Sequence, residues 1–458
     1  GRTLYVVANQ PDGTAVGYAL GVGGGGLRTL FTRPAAPDAI YEMDAAGTTL
    51  FAYAGGAITR YDAASGAPAP VPFSAEIDRD PRAEIAAIYE HTHRFTARTF
   101  YQADMHGRDW EAIGDHYRRF LPQIIWWEDL VQLLAEAVGE LDASHQAIHF
   151  RYQPETADET GSLGLYYDDA HRGPGMKVAE AIPGGPADRA GSALRPGAVI
   201  LSVDGRPIGP EIDIHRLLNR AAGREVRLEI APADGGPPVA ETLTPVPQAH
   251  ENEYAYRAWV AQRRAMVERL SAGRLGYVHL RAMNLEGYQA AYGEAFGRYA
   301  QAEGLIVDVR ANGGGNLHDQ LVTMLTGTSD SALVSRAGDV ITRNPVGRWT
   351  RPSALLVDAD SYSDGSVFPT LYQAKGIGPV VGQPVPGTGT AVVRQPMIDP
   401  RLVYGIPELG FRLSDGRFFE NLEVQPDVLV LNDPESLAAG EDRQLQAAVE
   451  TLLQQLDP

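Results

Sequence analysis

Hydrophobic and polar positions fall into three regimes along the chain. Up to about residue 83, short apolar runs meet turn residues. Leu4-Tyr5-Val6-Val7-Ala8 precedes Pro11-Asp12-Gly13, Thr49-Leu50-Phe51-Ala52-Tyr53 precedes Gly55-Gly56, and Ala57–Asp62 precedes Ala63-Ala64-Ser65-Gly66. These predict strand–turn–strand units. From about 84 to 141 the period becomes helical: Trp127, Leu130, Val131, Leu134, Ala137, Val138 and Leu141 form one apolar stripe. The last 200 or so residues alternate buried-type strands near 275–280, 305–309, 354–358 and 379–382 with helices near 284–302, 317–326 and 364–375. That order predicts an α/β layer with a parallel or mixed sheet, whose sites lie at the carboxyl ends of the strands. Between these regimes, residues 160–248 hold short strands, a helix over 211–220 and an Asp204-Gly205 hairpin turn.

Composition narrows what such a chain does. Its 458 residues suit several domains, and 44% hydrophobic with 21% charged residues describes a folded protein. The net charge of −19 argues against nucleic acid or an anionic membrane as partner. No apolar run reaches the roughly 18 residues of a membrane helix. The absence of cysteine removes disulfides, thiolate metal sites and a thiol nucleophile. All but two of the 39 basic residues are arginine; the lysines are Lys177 and Lys375. The chain opens on Gly1 rather than methionine, so a processed form or fragment is expected and targeting is not read from it.

Two turns after buried strands carry candidate chemistry. Ala311-Asn312-Gly313-Gly314-Gly315-Asn316 offers backbone N–H groups at a helix start, where an anion is received; without Gly-Lys-Ser/Thr it is not a nucleotide loop. Asp360-Ser361-Tyr362-Ser363-Asp364-Gly365-Ser366 leads into a helix, where a serine either caps the helix or stands as a nucleophile. Lys375 lies twelve residues after Ser363, roughly 18 Å along a helix, too far to serve as its base. Histidine remains, with His145 beyond a helix end and His318 after the glycine loop as the candidates. Gly23–Gly26 reads as a loop, and His91-Thr92-His93 as structural rather than metal-binding.

Residues 160–248, with Gly161-Ser162-Leu163-Gly164-Leu165, Pro186-Ala187-Asp188-Arg189-Ala190-Gly191 and the run from Leu194 to Gly205, resemble a PDZ domain. The resemblance implies an extended peptide added as a strand, its carboxylate received at Leu163, Gly164 and Leu165. Phe100 to Trp110, Val138 to His145, Asp308 to Asn316, Ser363-Asp364-Gly365 and Phe419 to Asp427 together resemble tricorn proteases, serine peptidases related to carboxyl-terminal processing proteases. The implied architecture is multidomain α+β: a partial β-propeller remnant (1–83), a helical cap with the Ser-His motif (84–155), a PDZ domain (160–248) and an α/β serine peptidase domain (249–458). The implied roles are Ser363 as nucleophile, His145 as base, Ser144 and Glu420 orienting it, and an oxyanion hole from Gly314 or Gly315 with Asp364. No metal or cofactor is implied. Peptide substrates, a hexameric homo-oligomer, downstream aminopeptidases and a cytoplasmic setting are, with a periplasmic or secreted one left open.

The chain departs from the tricorn pattern at Ser366 (an acid there), Glu423 (a glycine) and Pro386-Gly387-Thr388-Gly389-Thr390 (an aromatic-Gly-Gly stretch). Glycine at 423 would mark a left-handed turn, so its loss is expected to disturb the turn beside Glu420. The acid that gives tricorn its basic P1 preference falls near Leu333-Val334, where this chain has none, so an apolar P1 is expected. Two other readings are an inactive PDZ-and-propeller peptide-binding scaffold and a Ser–Lys processing protease.

Overall fold

A computed structural model describes residues 3–36, 39–74, 76, 78–151, 158–209, 212–327, 331–344 and 346–457. The chain divides into two compact units, Gly1–Asp80 and Pro81–Pro458. In the first, Thr3–Asn9, Thr14–Gly21 and Arg28–Pro34 make a three-stranded antiparallel sheet, and four strands from Ile40–Met43 to Pro68–Val71 make a second. Gly23–Gly26 is the loop of a hairpin, closed by Gly21 N–H donating to the Gly25 carbonyl.

The second unit opens with helices Pro81–Thr99 and Trp127–Gly139. Leu130, Leu134, Ala137 and Val138 are buried as the stripe predicts. His93 stacks on Trp110, each ring bonded to the other's carbonyl, which accounts for it structurally. This helical core is completed from far away in sequence: Leu402, Tyr404 and Ile406 pack into it. They belong to the Leu402–Gly410 strand, which pairs with Thr390–Pro396 on one side and Ala147–Phe150 on the other. That pairing brings the chain just before Ala147 against the start of the Thr390 strand.

The PDZ unit is an antiparallel sheet of Leu165–Tyr167, Met176–Ala181, Val199–Val203, Val226–Ala231 and Val239–Leu243. Asp204 and Gly205 both have positive φ, 50° and 75°, and close the expected two-residue hairpin. The expected helix over 211–220 is shorter, Ile214–Leu217, and Arg220 turns left-handed at φ 56° just beyond it; residues 210 and 211 lie outside the described residues. Leu163 and Leu165 are buried in the domain's own core, and Gly164 N–H donates to Ser162 Oγ at 2.9 Å.

The third layer is a parallel sheet in sequential order: Leu275–His279, Gly304–Asp308, Ser353–Val357, Val380–Gly382 and Val428–Leu429. Its central strands are buried on both sides, as continuous apolar runs demand. Alternation sends Leu305, Val307, Leu355 and Val357 to one core, with helices Leu285–Gly293, His318–Leu325 and Asp364–Ala374. Tyr277, Ile306, Ala354 and Leu356 face the other, against Gln248–Leu270 and Arg443–Leu456. These last two helices lie outside the alternation read from the sequence. Arg443–Leu456 carries its signal at Leu445, Ala448, Val449 and Leu452; Gln248–Leu270 is half-buried around most of its girth and shows none. The expected 284–302 helix stops at Gly293 and relaxes into a π-turn over Glu294–Arg298. Among the described residues no helix is long and apolar enough to cross a membrane, and no cluster of His, Asp and Glu has the makings of a metal site.

Candidate active site

Ser363 ends the turn after the Ser353–Val357 strand and stands at the N-terminus of the Asp364–Ala374 helix. Its backbone is at φ 57°, ψ −123°, a conformation costing a non-glycine residue about 1–3 kcal/mol. The surroundings hold it there. Tyr362 N–H donates to the Asn312 carbonyl (2.9 Å), Gly365 N–H to the Tyr362 carbonyl (2.9 Å), and Ser363 N–H to Thr388 Oγ1 (2.7 Å). Strained serines on a strand-to-helix turn define a nucleophile elbow. Lys375 caps the far end of the same helix, and Lys177 pairs with Asp168 in the PDZ unit, so neither lysine reaches Ser363.

The glycine loop lies against this turn. A Cβ on Gly314 would fall 2.5 Å from Ser363 Cβ, and one on Gly315 only 2.0 Å from the Met283 carbonyl oxygen, so both positions need glycine for close approach. Gly314 N–H is taken by Asn312 Oδ1 at 2.8 Å. Among the described residues, the N–H groups of Gly315 and Asp364 donate to no acceptor.

His145, at φ 62°, reaches the same place from the helical segment. Its backbone N–H donates to Tyr362 OH at 2.6 Å, and its ring lies 4.7 Å from that of Tyr362, the residue before Ser363. Its Nδ1 lies 2.7 Å from Ser144 Oγ, which donates to Glu420 Oε2 at 3.0 Å. Glu420 is buried, at 7% exposure, and also accepts from Ser144 N–H and from Gly389 N–H (2.7 Å). Burial pushes its carboxyl up, against those donors. With Ser144 donating to Glu420, the network assigns a proton to His145 Nδ1 and leaves Nε2 with its lone pair. Burial, seconded by the charge of Arg394, lowers the His145 pKa and keeps the ring neutral. Neither Nε2 nor Ser363 Oγ has a hydrogen-bond partner among the described residues; such contacts often tighten only when substrate binds.

His318, the other candidate, is used differently. Its Nδ1 bonds Asp364 Oδ1, while Asp364 Oδ2 accepts from Leu317 N–H (2.9 Å) and His318 N–H (3.1 Å). The Asp364 bond raises the His318 pKa, against burial, and favours the imidazolium.

Threonines that sequence reasoning missed complete the site. Thr390 Oγ1 lies 3.1 Å from His145 Nδ1, 3.0 Å from Ser144 Oγ and 3.2 Å from the Ser144 carbonyl, to which it donates. Thr388 Oγ1 accepts from Ser363 N–H and lies 2.7 Å from Ser366 Oγ. Two departures from the tricorn pattern, Ser366 and Thr388, thus bond one another, and Thr388 holds the Ser363 backbone. A third does no harm: Glu423 is not left-handed. Asn421 is, at φ 61°, and its Nδ2 donates to the Asp142 carbonyl at 2.7 Å, so the expected disturbance beside Glu420 is absent.

An elbow serine, a histidine and a buried carboxylate around a glycine loop are the kinds of groups a serine hydrolase brings together. Residues 274–430 match the model of peptidase family S41, 81–139 the tricorn protease C1 domain and 177–232 the PDZ domain. Tricorn protease homolog 1 of Streptomyces coelicolor is 33% identical over 388 residues, 82% of this chain and 36% of that one. Putative tricorn protease homolog 2 of the same organism is 31% identical over 392 residues, 82% and 33%. The crystal structure of the tricorn protease superposes with a TM-score of 0.82 at 21% identity, over 100% of this chain and 46% of that one. The chain belongs to the tricorn-like S41 serine peptidases, and it spans about a third of the length of these two curated relatives.

Proposed function

We propose that this chain hydrolyses peptide bonds in unfolded polypeptides through an acyl-enzyme. His145 Nε2 takes the proton of Ser363 Oγ as the oxygen attacks the scissile carbonyl. The N–H groups of Gly315 and Asp364 receive the oxyanion, with Gly314 permitting the approach. The tetrahedral intermediate collapses as His145 returns the proton to the leaving amine, and water then releases the acyl group by the same route. Ser144 and Glu420 hold the imidazole tautomer. The observation carrying this reading is the strained Ser363 backbone beside the Glu420–Ser144–His145 chain. The exposed Leu333 and Val334, with no acid there, support an apolar P1. We also read the two antiparallel sheets of the first unit as propeller blades. The domain bounds expected above, a homo-oligomer, peptides passed to aminopeptidases and a cytoplasmic setting belong to the same proposal.

A fluorophosphonate probe tests it: mass spectrometry of the labelled, digested protein finds the adduct on Ser363. A protein that stays unlabelled while hydrolysing nothing is instead a peptide-binding scaffold.

Two further outcomes follow from the geometry around His145. The rate as kcat/KM rises with pH through a midpoint below the ordinary histidine value of about 6.5, because burial and Arg394 disfavour the imidazolium. Arg394→Gln removes a positive neighbour, so the midpoint moves upward in a pH–rate profile. Thr390→Val removes the second acceptor facing Nδ1 and lowers kcat by about tenfold, less than the roughly 10²–10⁴-fold that positioned proton transfer contributes, because Ser144 still holds Nδ1. Thr390→Ser restores it.

A further inference from the structure

The same carboxyl edge of the parallel sheet carries a second concavity, on the opposite side from Ser363. It is a cavity of about 430 Å³ under Gln248–Leu270, and residues just past all five strands reach it: His279 and Arg281, Arg310, Asp358 and Asp360, Gln383 and Asn432. Ligands of open α/β sheets bind outside the carboxyl ends of the strands, in spaces of about 300–1,000 Å³. The proposed hydrolysis uses none of these side chains.

The walls differ in chemistry. Part of the lining is aromatic and cationic: Arg281 lies over Tyr256 at 4.7 Å and Arg263 over Trp259 at 4.2 Å. Arg281 is more than half exposed, and its one acidic contact among the described residues, Glu253, is 3.4 Å away. Arg263 is mostly buried. Its Nε has no hydrogen-bond acceptor among the described residues, and the carboxylate of Asp442 stands off at 3.6 Å. Another part is acidic. Asp358 accepts from Ala311 N–H (2.9 Å) and Ser361 Oγ (3.0 Å), which leaves lone pairs unused, and Asp360 is exposed without a partner among the described residues. Arg310 is spent on Asp308 and Asp442.

Two loosely paired arginines and two aspartates therefore line the cavity together with Tyr256 and Trp259. A purely anionic ligand meets the aspartates, and a purely cationic one the arginines. We propose that this cavity binds a short free peptide, its carboxylate on Arg281 and Arg263, its ammonium on Asp360 and Asp358, and an apolar side chain on Tyr256 and Trp259. That such a ligand is the enzyme's own product class rests on the peptidase reading; the binding does not.

Calorimetric titration of the full Ser363→Ala chain with the dipeptide Leu-Phe tests it, whether or not the wild type hydrolyses peptides. Leu-Phe binds, and N-acetyl-Leu-Phe and Leu-Phe amide each bind at least tenfold more weakly. Arg281→Ala and Asp360→Asn, exposed substitutions that leave the thermal midpoint in place, each weaken Leu-Phe at least tenfold. Absence of binding, equal binding of the blocked dipeptides, or unchanged affinity in both variants overturns the proposal.

Discussion

His145→Ala lowers kcat/KM for an internally quenched peptide by about four orders of magnitude, as does Ser363→Ala, while His318→Ala costs about tenfold. The first two remove members of a unit that acts together, and each loss forfeits nearly all that the unit supplies. His318 sits close enough in the fold to be mistaken for the base, since its partner Asp364 directly follows Ser363. Its ring, though, is bound to Asp364 through Nδ1 and drawn toward the charged form. A ring drawn toward its protonated form is the poorer proton acceptor. Its loss loosens Asp364, whose N–H is a proposed oxyanion donor, yet Asp364 keeps the backbone donors of Leu317 and His318. The tenfold effect is therefore one of positioning. His145 is poised the other way, neutral with Nε2 unbonded. Should His318→Ala prove the more damaging in kcat, with both variants matching wild type in thermal denaturation, the roles of the two histidines exchange.

That choice marks the limit of the sequence. The elbow and the glycine loop are local: a buried strand, a small-residue turn and a helix follow one another, so Ser363 and Gly314–Gly315 stand out from pattern alone. His145 lies more than two hundred residues from Ser363, and periodicity says nothing of their meeting. It is settled by the Ala147–Phe150 strand joining Leu402–Gly410, a pairing too short to show in hydropathy. Thr388 and Thr390 were hidden for a similar reason, lying in a glycine-rich stretch whose meaning is tertiary: Gly387 and Gly389 make room for Leu422 and Phe419, the neighbours of Glu420. The departure at Ser366 reads as a loss in sequence and as a hydrogen bond in space.

Arg310→Ala destabilises the second unit by about 3–5 kcal/mol, the cost of stranding buried charge. Arg310 leads into the glycine loop and is 7% exposed in its side chain; Asp308 and Asp442 are at 0% and 2%. Its Nη2 is 2.7 Å from Asp308, and its Nη1 is 2.9 Å from Asp442 at the start of the Arg443–Leu456 helix, so one guanidinium ties the Gly304–Asp308 strand to the last helix. Burial pushes both carboxyls up, and the Arg310 charge outweighs it, holding them below the ordinary carboxylate range. Depressed carboxylates contribute stability above their unfolded pKa of about 3.9, lost as pH falls through the folded value. Without Arg310, Asp442 keeps only Arg263 at 3.6 Å, while Asp308 is buried with no arginine beside it and its pKa rises above the unfolded one. The variant is then penalised most at neutral pH and relieved as Asp308 protonates, so the stability gap in urea narrows steadily from pH 7 to pH 5. A gap constant over that range places the loss in packing, through the contact of Arg310 with the Trp259 face at 5.8 Å, and not in charge.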